Sequence, residues 1–260
     1  MTSPRPDPEV VRGVTVGYRV RFDECAPDGV VRSSALLRYA QDVAWIHSER
    51  MGFDRAWYAA RDLAWVVRAA EIAILAPLTL GQVVELSTAV IGFRRVWARR
   101  RTEGRLADGT LVLWGNTDWV MTDVVRGAPG RVPPEFPGVF DVPPGAFEPG
   151  RVPLQPTPER AVRHASRVRP QDLDPMGHVN NAAYVDYLEE ALHAAGPPAA
   201  AALAATPRRI RLEYAAPAAP GVALLGETWP ESVDGSEGWA WRLSDGMGLE
   251  LARARVLLGS

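Results

Sequence analysis

Asp174 and His178 stand four residues apart in the segment Asp172-Leu-Asp-Pro-Met-Gly-His-Val-Asn-Asn181. An aspartate can attack an activated carbonyl or draw a proton from water, and a histidine can position water or donate to a leaving group. Asn181 falls where a helix is expected to begin. Backbone N–H groups at such a start have no partner inside the helix and can face a developing oxyanion. An acid, an imidazole and a helix end in one small volume suit attack on an activated acyl group. Each residue also has a plainer reading. Asp174 can stabilise the turn or the helix start, His178 can be a packed or surface residue, and Asn181 can cap the helix with its side chain. Asn180 is expected to orient the loop or His178. Glu189 and Glu190, two turns into the helix, read as a solvated face or an interface pair.

The same layout occurs earlier without its chemistry. Glu24-Cys-Ala-Pro-Asp-Gly-Val-Val31 aligns with Asp172-Leu-Asp-Pro-Met-Gly-His-Val179 at an offset of 148 (172 − 24). Pro27, Gly29, Val31, Ala35 and Tyr39 fall on Pro175, Gly177, Val179, Ala183 and Tyr187. Further on, Pro77 and Gly81 match Pro217 and Gly221, and Asp108-Gly109 matches Asp245-Gly246. A duplication with shorter loops in the second copy explains this order of landmarks. Ala26 stands where the second copy has Asp174, and Val30 where it has His178. One chemical site is therefore expected, made by the second copy, with the first supplying a wall.

The elements that must hold this site follow from pattern. Strand-like alternation covers 14–22, and Ser33-Ser34 are placed to cap a helix over 35–51, with Leu36, Leu37, Ala40, Val43, Ala44 and His47 at helical spacing. Strands are expected at 64–75, 82–92, 94–103 and 111–122. Residues 127–160 carry ten prolines and read as an extended linker without regular elements. The second copy repeats the order: a strand over 161–170, a helix over 181–195, a possible helical turn at 199–205, and strands at 210–216, 222–229, 238–244 and 249–257. The expected organisation is a first domain over 1–126, with 1–12 a loose proline-rich tail, a linker over 127–160 and a second domain over 161–260.

The bulk numbers narrow the class. The 260 residues suit two modest domains, and a formal charge of −2 gives no global case for binding nucleic acid or membranes. All 29 basic residues are arginine, as codon bias in a GC-rich genome would produce. A single cysteine, Cys25, permits no internal disulfide and fits a reducing compartment. No signal-peptide core or membrane-length apolar run is present, so a cytoplasmic setting is expected.

A long helix wrapped by an antiparallel sheet and entered through Asp-x-x-Gly-x-Val resembles the hotdog fold. Duplicated in one chain, with His178-Val-Asn-Asn-x-x-Tyr184 only in the second copy, the sequence is similar to the acyl-[acyl-carrier-protein] thioesterases of plants and bacteria. Leu63-Ala-Trp-Val66, Gly81-Gln-Val-Val84 and Trp119-Val-Met121 also look like that family. The resemblance covers nearly the whole chain. It implies an α+β chain of two tandem hotdog domains, each a long helix packed on an antiparallel sheet, forming an intrachain pseudo-dimer. It implies a thioesterase without cofactor, acting on acyl carrier protein or CoA thioesters, and it sets the family's aspartate on Asp174 and histidine on His178. Two positions depart from the pattern. Met176 stands for the usual asparagine, and Pro217 appears where the plant enzymes carry a glutamate. The Asp-Pro-x-Gly form is closer to hydroxybenzoyl-CoA thioesterases, which manage with the aspartate and the helix end.

Tyr184, Trp65 and Val66, with Trp45 and Tyr39, are candidate walls of a dry acyl channel by that resemblance. The stretch Arg94-Arg95 to Arg99-Arg-Arg101 would attract an acidic carrier or phosphates, or would simply alternate along a strand. No metal-ligand spacing, phosphate loop or serine nucleophile elbow occurs. Two other functions share these features: a protein that shelters acyl thioesters without cutting them, and a hotdog enoyl hydratase, whose usual aspartate-to-histidine spacing is one residue longer. A homodimer is left open.

Overall fold

The structure, a computed structural model, describes residues 13–142 and 147–259, and the tail expected over 1–12 lies outside the described residues. In chain order the first half holds β1 (Val14–Arg19), α1 (Ser33–Arg50), α2 (Arg55–Ala59), β2 (Leu63–Ile74), β3 (Val83–Arg94), β4 (Trp97–Arg105) and β5 (Leu111–Asp123). The connecting segment adds β6 (Ala128–Pro129) and α3 (Phe136–Val139). The second half holds β7 (Val162–Arg167), α4 (Ala183–Ala194), α5 (Pro197–Ala204), β8 (Arg208–Tyr214), β9 (Ala223–Val233), β10 (Ser236–Asp245) and β11 (Glu250–Leu258).

The strands form one antiparallel sheet in the order β1-β3-β4-β5-β2-β8-β11-β10-β9-β7, with β6 on β5. Read from either end, the order runs through equivalent strands. The halves join where β2 pairs with β8, and Ile72 opposite Ile210 marks the centre of that ladder. Successive strand residues point to opposite faces. One face, carrying Ile72, Ile74, Val84, Leu86, Ile210 and Leu212, therefore turns toward the helices, and all six side chains are buried. The apolar stripes of α1 (Leu36, Tyr39, Val43) and α4 (Tyr184, Leu188, Ala191, Leu192) pack on it in one continuous core. Burial of each such Leu, Ile or Val contributes ~1.5–3 kcal/mol. The α+β class and the long helix on an antiparallel sheet, made twice, are as expected.

Three local readings are corrected. The serines do not cap α1 with their side chains: Arg32 is the N-cap residue without a side-chain cap bond, and the Ser33 N–H donates to Glu189 Oε1 of α4 at 3.2 Å. The other half thus supplies an acceptor that the helix end lacks. The helix of the second copy starts at Ala183 rather than Asn181, because the Asn180 side chain turns the chain by accepting the Ala182 N–H at 2.9 Å. The proline-rich connection is not without elements either. Phe136 and Phe140 bury against Phe53, Tyr58 and Met121, and that burial outweighs the composition around them.

Candidate active site

The loop before α4 is held by an acid that is not itself a candidate for chemistry. Asp172 is buried and closes a short 3-10 turn (Pro170–Asp172). Its carboxylate accepts the Arg169 N–H at 2.8 Å, Arg169 Nη2 at 3.0 Å and the Tyr187 hydroxyl at 2.6 Å. Burial alone would raise this carboxyl, but the bonds from Arg169 and Tyr187 outweigh it and hold it below the usual carboxylate value. Its carbonyl accepts the Asn180 N–H at 2.8 Å, which draws the two ends of the loop together.

Within that frame the Asp174 N–H donates to the His178 carbonyl at 2.8 Å, and the Gly177 N–H donates to the Asp174 carbonyl at 2.9 Å. Gly177 sits at φ +78°, where a side chain would be strained. Asp174 Oδ1 accepts the Met176 N–H at 2.8 Å and the His178 N–H at 3.4 Å. Among the described residues Oδ2 accepts no hydrogen bond. The carboxylate is half-buried with one oxygen fixed by the loop, and His178 beside it is exposed. The sequence thus brings Asp174 and His178 together through the backbone of one turn.

Asn181 lies between this loop and the helix. Its carbonyl accepts the Tyr214 hydroxyl from β8 at 3.0 Å, and among the described residues its N–H meets no acceptor. Asn180 also reaches across the molecule, its Nδ2 donating to Gln41 Oε1 of α1 at 3.3 Å. The chemical seam therefore takes one group from each half. Gln41, Asp172, Tyr187 and Tyr214 were not among the expected site residues. Asp172 and Tyr187 did leave a signal, since both recur at the duplication offset as Glu24 and Tyr39.

The first half repeats this framework without the acid. The Glu24 carboxylate is bonded by Arg21 Nη2 at 2.7 Å and by the Tyr39 hydroxyl. The Ala26 N–H donates to the Val30 carbonyl at 2.8 Å, just as the Asp174 N–H does to His178. At this mirrored seam Glu189 takes the place of Gln41 and meets the start of α1. Glu189 is the interface pair of the sequence reading, and burial first, then Asp186, raises its carboxyl above the ordinary value. The buried Arg208 fills the seam, donating to Ser33 Oγ at 3.1 Å and to the Ala205 carbonyl at 2.9 Å. The β2–β8 ladder is symmetric about Ile72 and Ile210, pairing Ala70 with Leu212 and Ile74 with Arg208, so the symmetry-related counterpart of Arg208 is Ala70. A methyl group at the chemical seam thus corresponds to a whole arginine side chain at the other.

The expected channel walls separate. Trp65 faces the helix side, donating to the Tyr58 hydroxyl at 3.1 Å and packing near Phe136. Val66 follows it on the strand and so lies on the opposite face, where it lines a cavity of ≈ 470 Å³ with Arg68, Trp97, Val120 and Pro149. The two residues do not share one channel. Tyr184 is core: its hydroxyl accepts the Ala218 N–H at 3.1 Å, beside Pro217. Tyr39 is core as well, and Trp45 is 40% exposed. The arginine-rich stretch alternates in the plain manner. Arg94 pairs with Glu148, Arg99 with Asp118 and Arg101 with Glu103, while Arg100 turns inward, so no unpaired basic stripe results. Among the described residues no group of three or more His, Cys, Asp or Glu side chains could hold a metal, and no helix is long and apolar enough to cross a membrane.

With this geometry in hand, likeness to known proteins is informative. Three solved structures share the fold over nearly their full length. An acyl-ACP thioesterase from Bacteroides thetaiotaomicron is 16% identical, with 96% of this chain and 98% of that one covered at a TM-score of 0.77. The 12:0-ACP thioesterase of Umbellularia californica is 22% identical over 94% and 96%, at 0.76. A Lactobacillus plantarum protein assigned as an oleoyl thioesterase is 19% identical over 96% and 99%, at 0.79. No curated protein matches the chain significantly. Residues 14–140 match the model of the acyl-ACP thioesterase N-terminal domain, and residues 156–247 match that of the C-terminal domain. The chain belongs to the acyl-ACP thioesterase family and is a thioester hydrolase.

Proposed function

We propose that the chain cleaves acyl-ACP thioesters at the seam between α1 and the start of α4, with Asp174 as the carboxylate on which turnover depends. Asp174 attacks the thioester carbonyl or draws the proton from the attacking water. The Asn181 N–H, two residues before α4 and without an acceptor among the described residues, donates to the developing oxyanion. His178 donates to the departing thiolate or orients water. CoA thioesters present the same reacting group and are the second carrier class. The reading divides the chain into domains 1–126 and 161–260 joined by 127–160, with the first domain as the acyl wall.

The observation that carries this reading is the asymmetry of two matched loops. Both keep a buried acid, an arginine and a tyrosine, but where the second loop has Asp174 and an exposed histidine the first has Ala26 and Val30, its own loop carboxylate, Asp28, standing instead at the position of Met176. A purely structural duplicate has no need of that difference. The test is release of free thiol from a panel of acyl-ACP and acyl-CoA thioesters by the full chain and by Asp174→Ala. Steady release lost by at least ~100-fold in the variant is expected, in the range of other essential acid–base groups. Unchanged turnover in Asp174→Ala removes the assignment. Tight acyl binding without turnover in the unaltered chain identifies a binding protein, and hydration of an enoyl thioester without thiol release identifies a hydratase. Direct attack joins Asp174 to the acyl group as an anhydride with loss of the thiolate, and a single turnover in ¹⁸O-water reveals it where water opens that anhydride at the Asp174 carboxyl, because the first product acid then carries unlabelled oxygen from Asp174.

A further inference from the structure

The space between α1 and strands β4 and β5 holds polar groups that the packing leaves unanswered. Arg100 is only 9% exposed and lies on the helix-facing side of β4. Among the described residues its one hydrogen-bond partner is His47 Nδ1, at 2.7 Å, and no carboxylate is within ion-pair distance. Its neighbours Arg99 and Arg101, on the other face, are each given an acid. His47 does not stand in for one. Burial first, then the charges of Arg100 and Arg50, push its pKa down to about 4, so it is neutral and accepts from the guanidinium. Arg100 itself, though pushed down to about 10 by burial, remains a cation at neutral pH. Buried charges are ordinarily paired with an opposite charge, and this one is not.

A second donor lies beside it. Thr117 of β5 pairs with Arg100, and Trp119, two residues along, shares its face. The Trp119 Nε1 is sealed from solvent and has no acceptor. A guanidinium and an indole N–H therefore face the same interior, and among the described residues neither is hydrogen-bonded to an oxygen.

Their distance from the chemistry can be read along α1. Gln41 touches Asn180 of the Asp174 loop, and His47 is six residues further on, ~9 Å at the helical rise. Beyond it the aromatic cluster of Phe53, Tyr58, Phe136 and Phe140 closes the half, with the Phe140 ring edge-on to His47 at 5.4 Å. Along α1, Arg100 thus falls between the Asp174 loop and the aromatic cluster.

We propose that Arg100 and Trp119 Nε1 bind the far end of acyl groups bearing an acceptor oxygen, above all a carboxylate. This rests on the reading that thioesters are cleaved at Asp174. It narrows the substrate class from plain alkyl chains to ω-oxygenated ones.

The test compares octanoyl-CoA with its ω-carboxylated counterpart, suberoyl-CoA, by thiol release from the full chain. A kcat/KM about tenfold higher for the carboxylated chain is expected, the size of one charged hydrogen bond. Arg100→Met should reverse the preference while octanoyl turnover persists, with circular dichroism melting to check the fold. Trp119→Phe, a milder change, should reduce the preference several-fold and serves if Arg100→Met does not fold. Preference for the plain chain in the unaltered protein, or a ratio unmoved in a folded variant, overturns the proposal. If neither CoA thioester is cleaved, the same pair is offered on acyl carrier protein, and cleavage of neither there makes the reading of Asp174 fail instead. Calorimetric binding of free octanoate, whose carboxylate can itself occupy the site, to the unaltered chain and to Arg100→Met or Trp119→Phe then tests the terminus site alone, and equal Kd values overturn it.

Discussion

Changing Tyr187 to Phe and, separately, Tyr39 to Phe takes the same bond from the two copies of one buried staple. Each hydroxyl donates to the acid that closes its own turn, Asp172 or Glu24. Tyr187 is 2% exposed and Asp172 4%, so water cannot replace what is lost. A hydrogen bond to an ionised partner contributes ~1.5–3 kcal/mol. The Arg169–Asp172 ion pair survives in the variant, and with the arginine side chain 42% exposed it adds only ~0–1 kcal/mol. Each substitution should therefore cost about 2 kcal/mol, a fall of roughly 4–8 °C in melting temperature for a chain of this size. Activity should divide the pair. The Asp172 carbonyl also fixes Asn180, and Asp174 follows two residues later, so Tyr187→Phe loosens the reacting geometry. A fall of ~10- to 100-fold in kcat is expected there, since sub-ångström placement carries that much. Tyr39→Phe should leave kcat near its unaltered value. Melting by circular dichroism and thiol release at saturating substrate measure the two effects. Equal kcat losses in both variants, or a melting temperature unmoved in either, would refute the reasoning.

Other outcomes follow from single contacts. His47 is held neutral with a pKa of about 4, below its unfolded value of ~6.5, so the unfolded chain takes a proton that the folded chain refuses. Stability should fall as pH drops from ~6.5 toward 4, by about 3 kcal/mol in all, and His47→Gln should flatten that slope in urea titrations run at successive pH values. Trp65→Ala opens the aromatic cluster and should shift acyl chain-length preference, while Val66→Ala on the opposite face should leave it unchanged in the same substrate panel. Gln41→Ala removes the contact to Asn180 and should lower kcat without a large change in melting temperature. A loss of stability with kcat intact would instead make Gln41 a purely structural tie.

The duplicated fold was legible because the turn chemistry was repeated residue by residue. Gly29 and Gly177, matched across the duplication, both adopt the left-handed conformation. Asp174 and His178 were legible for the complementary reason, as the places where the copies differ. The rest depended on partners distant in the chain. Trp65 and Val66 are adjacent in sequence, and only the strand's alternation, read against the observed sheet, sends them apart. The acceptor for the α1 N-terminus is 156 residues away at Glu189, so two local serines were the natural but mistaken choice. Asn180 and Asn181 offer the same side chain at successive positions, and pattern alone does not say which one turns the chain. The linker's aromatic residues were masked by its prolines.

The ladder between β2 and β8 has a consequence for how such a molecule can change. A symmetric pair of separate subunits must alter both of its clefts with every substitution, because each cleft is coded by the same gene position. Here the two clefts are coded apart. One is free to become a rigid girder, with arginine and glutamate wedged across it, while the other keeps a methyl group and an amide at the matching places, and neither has to compromise for its twin.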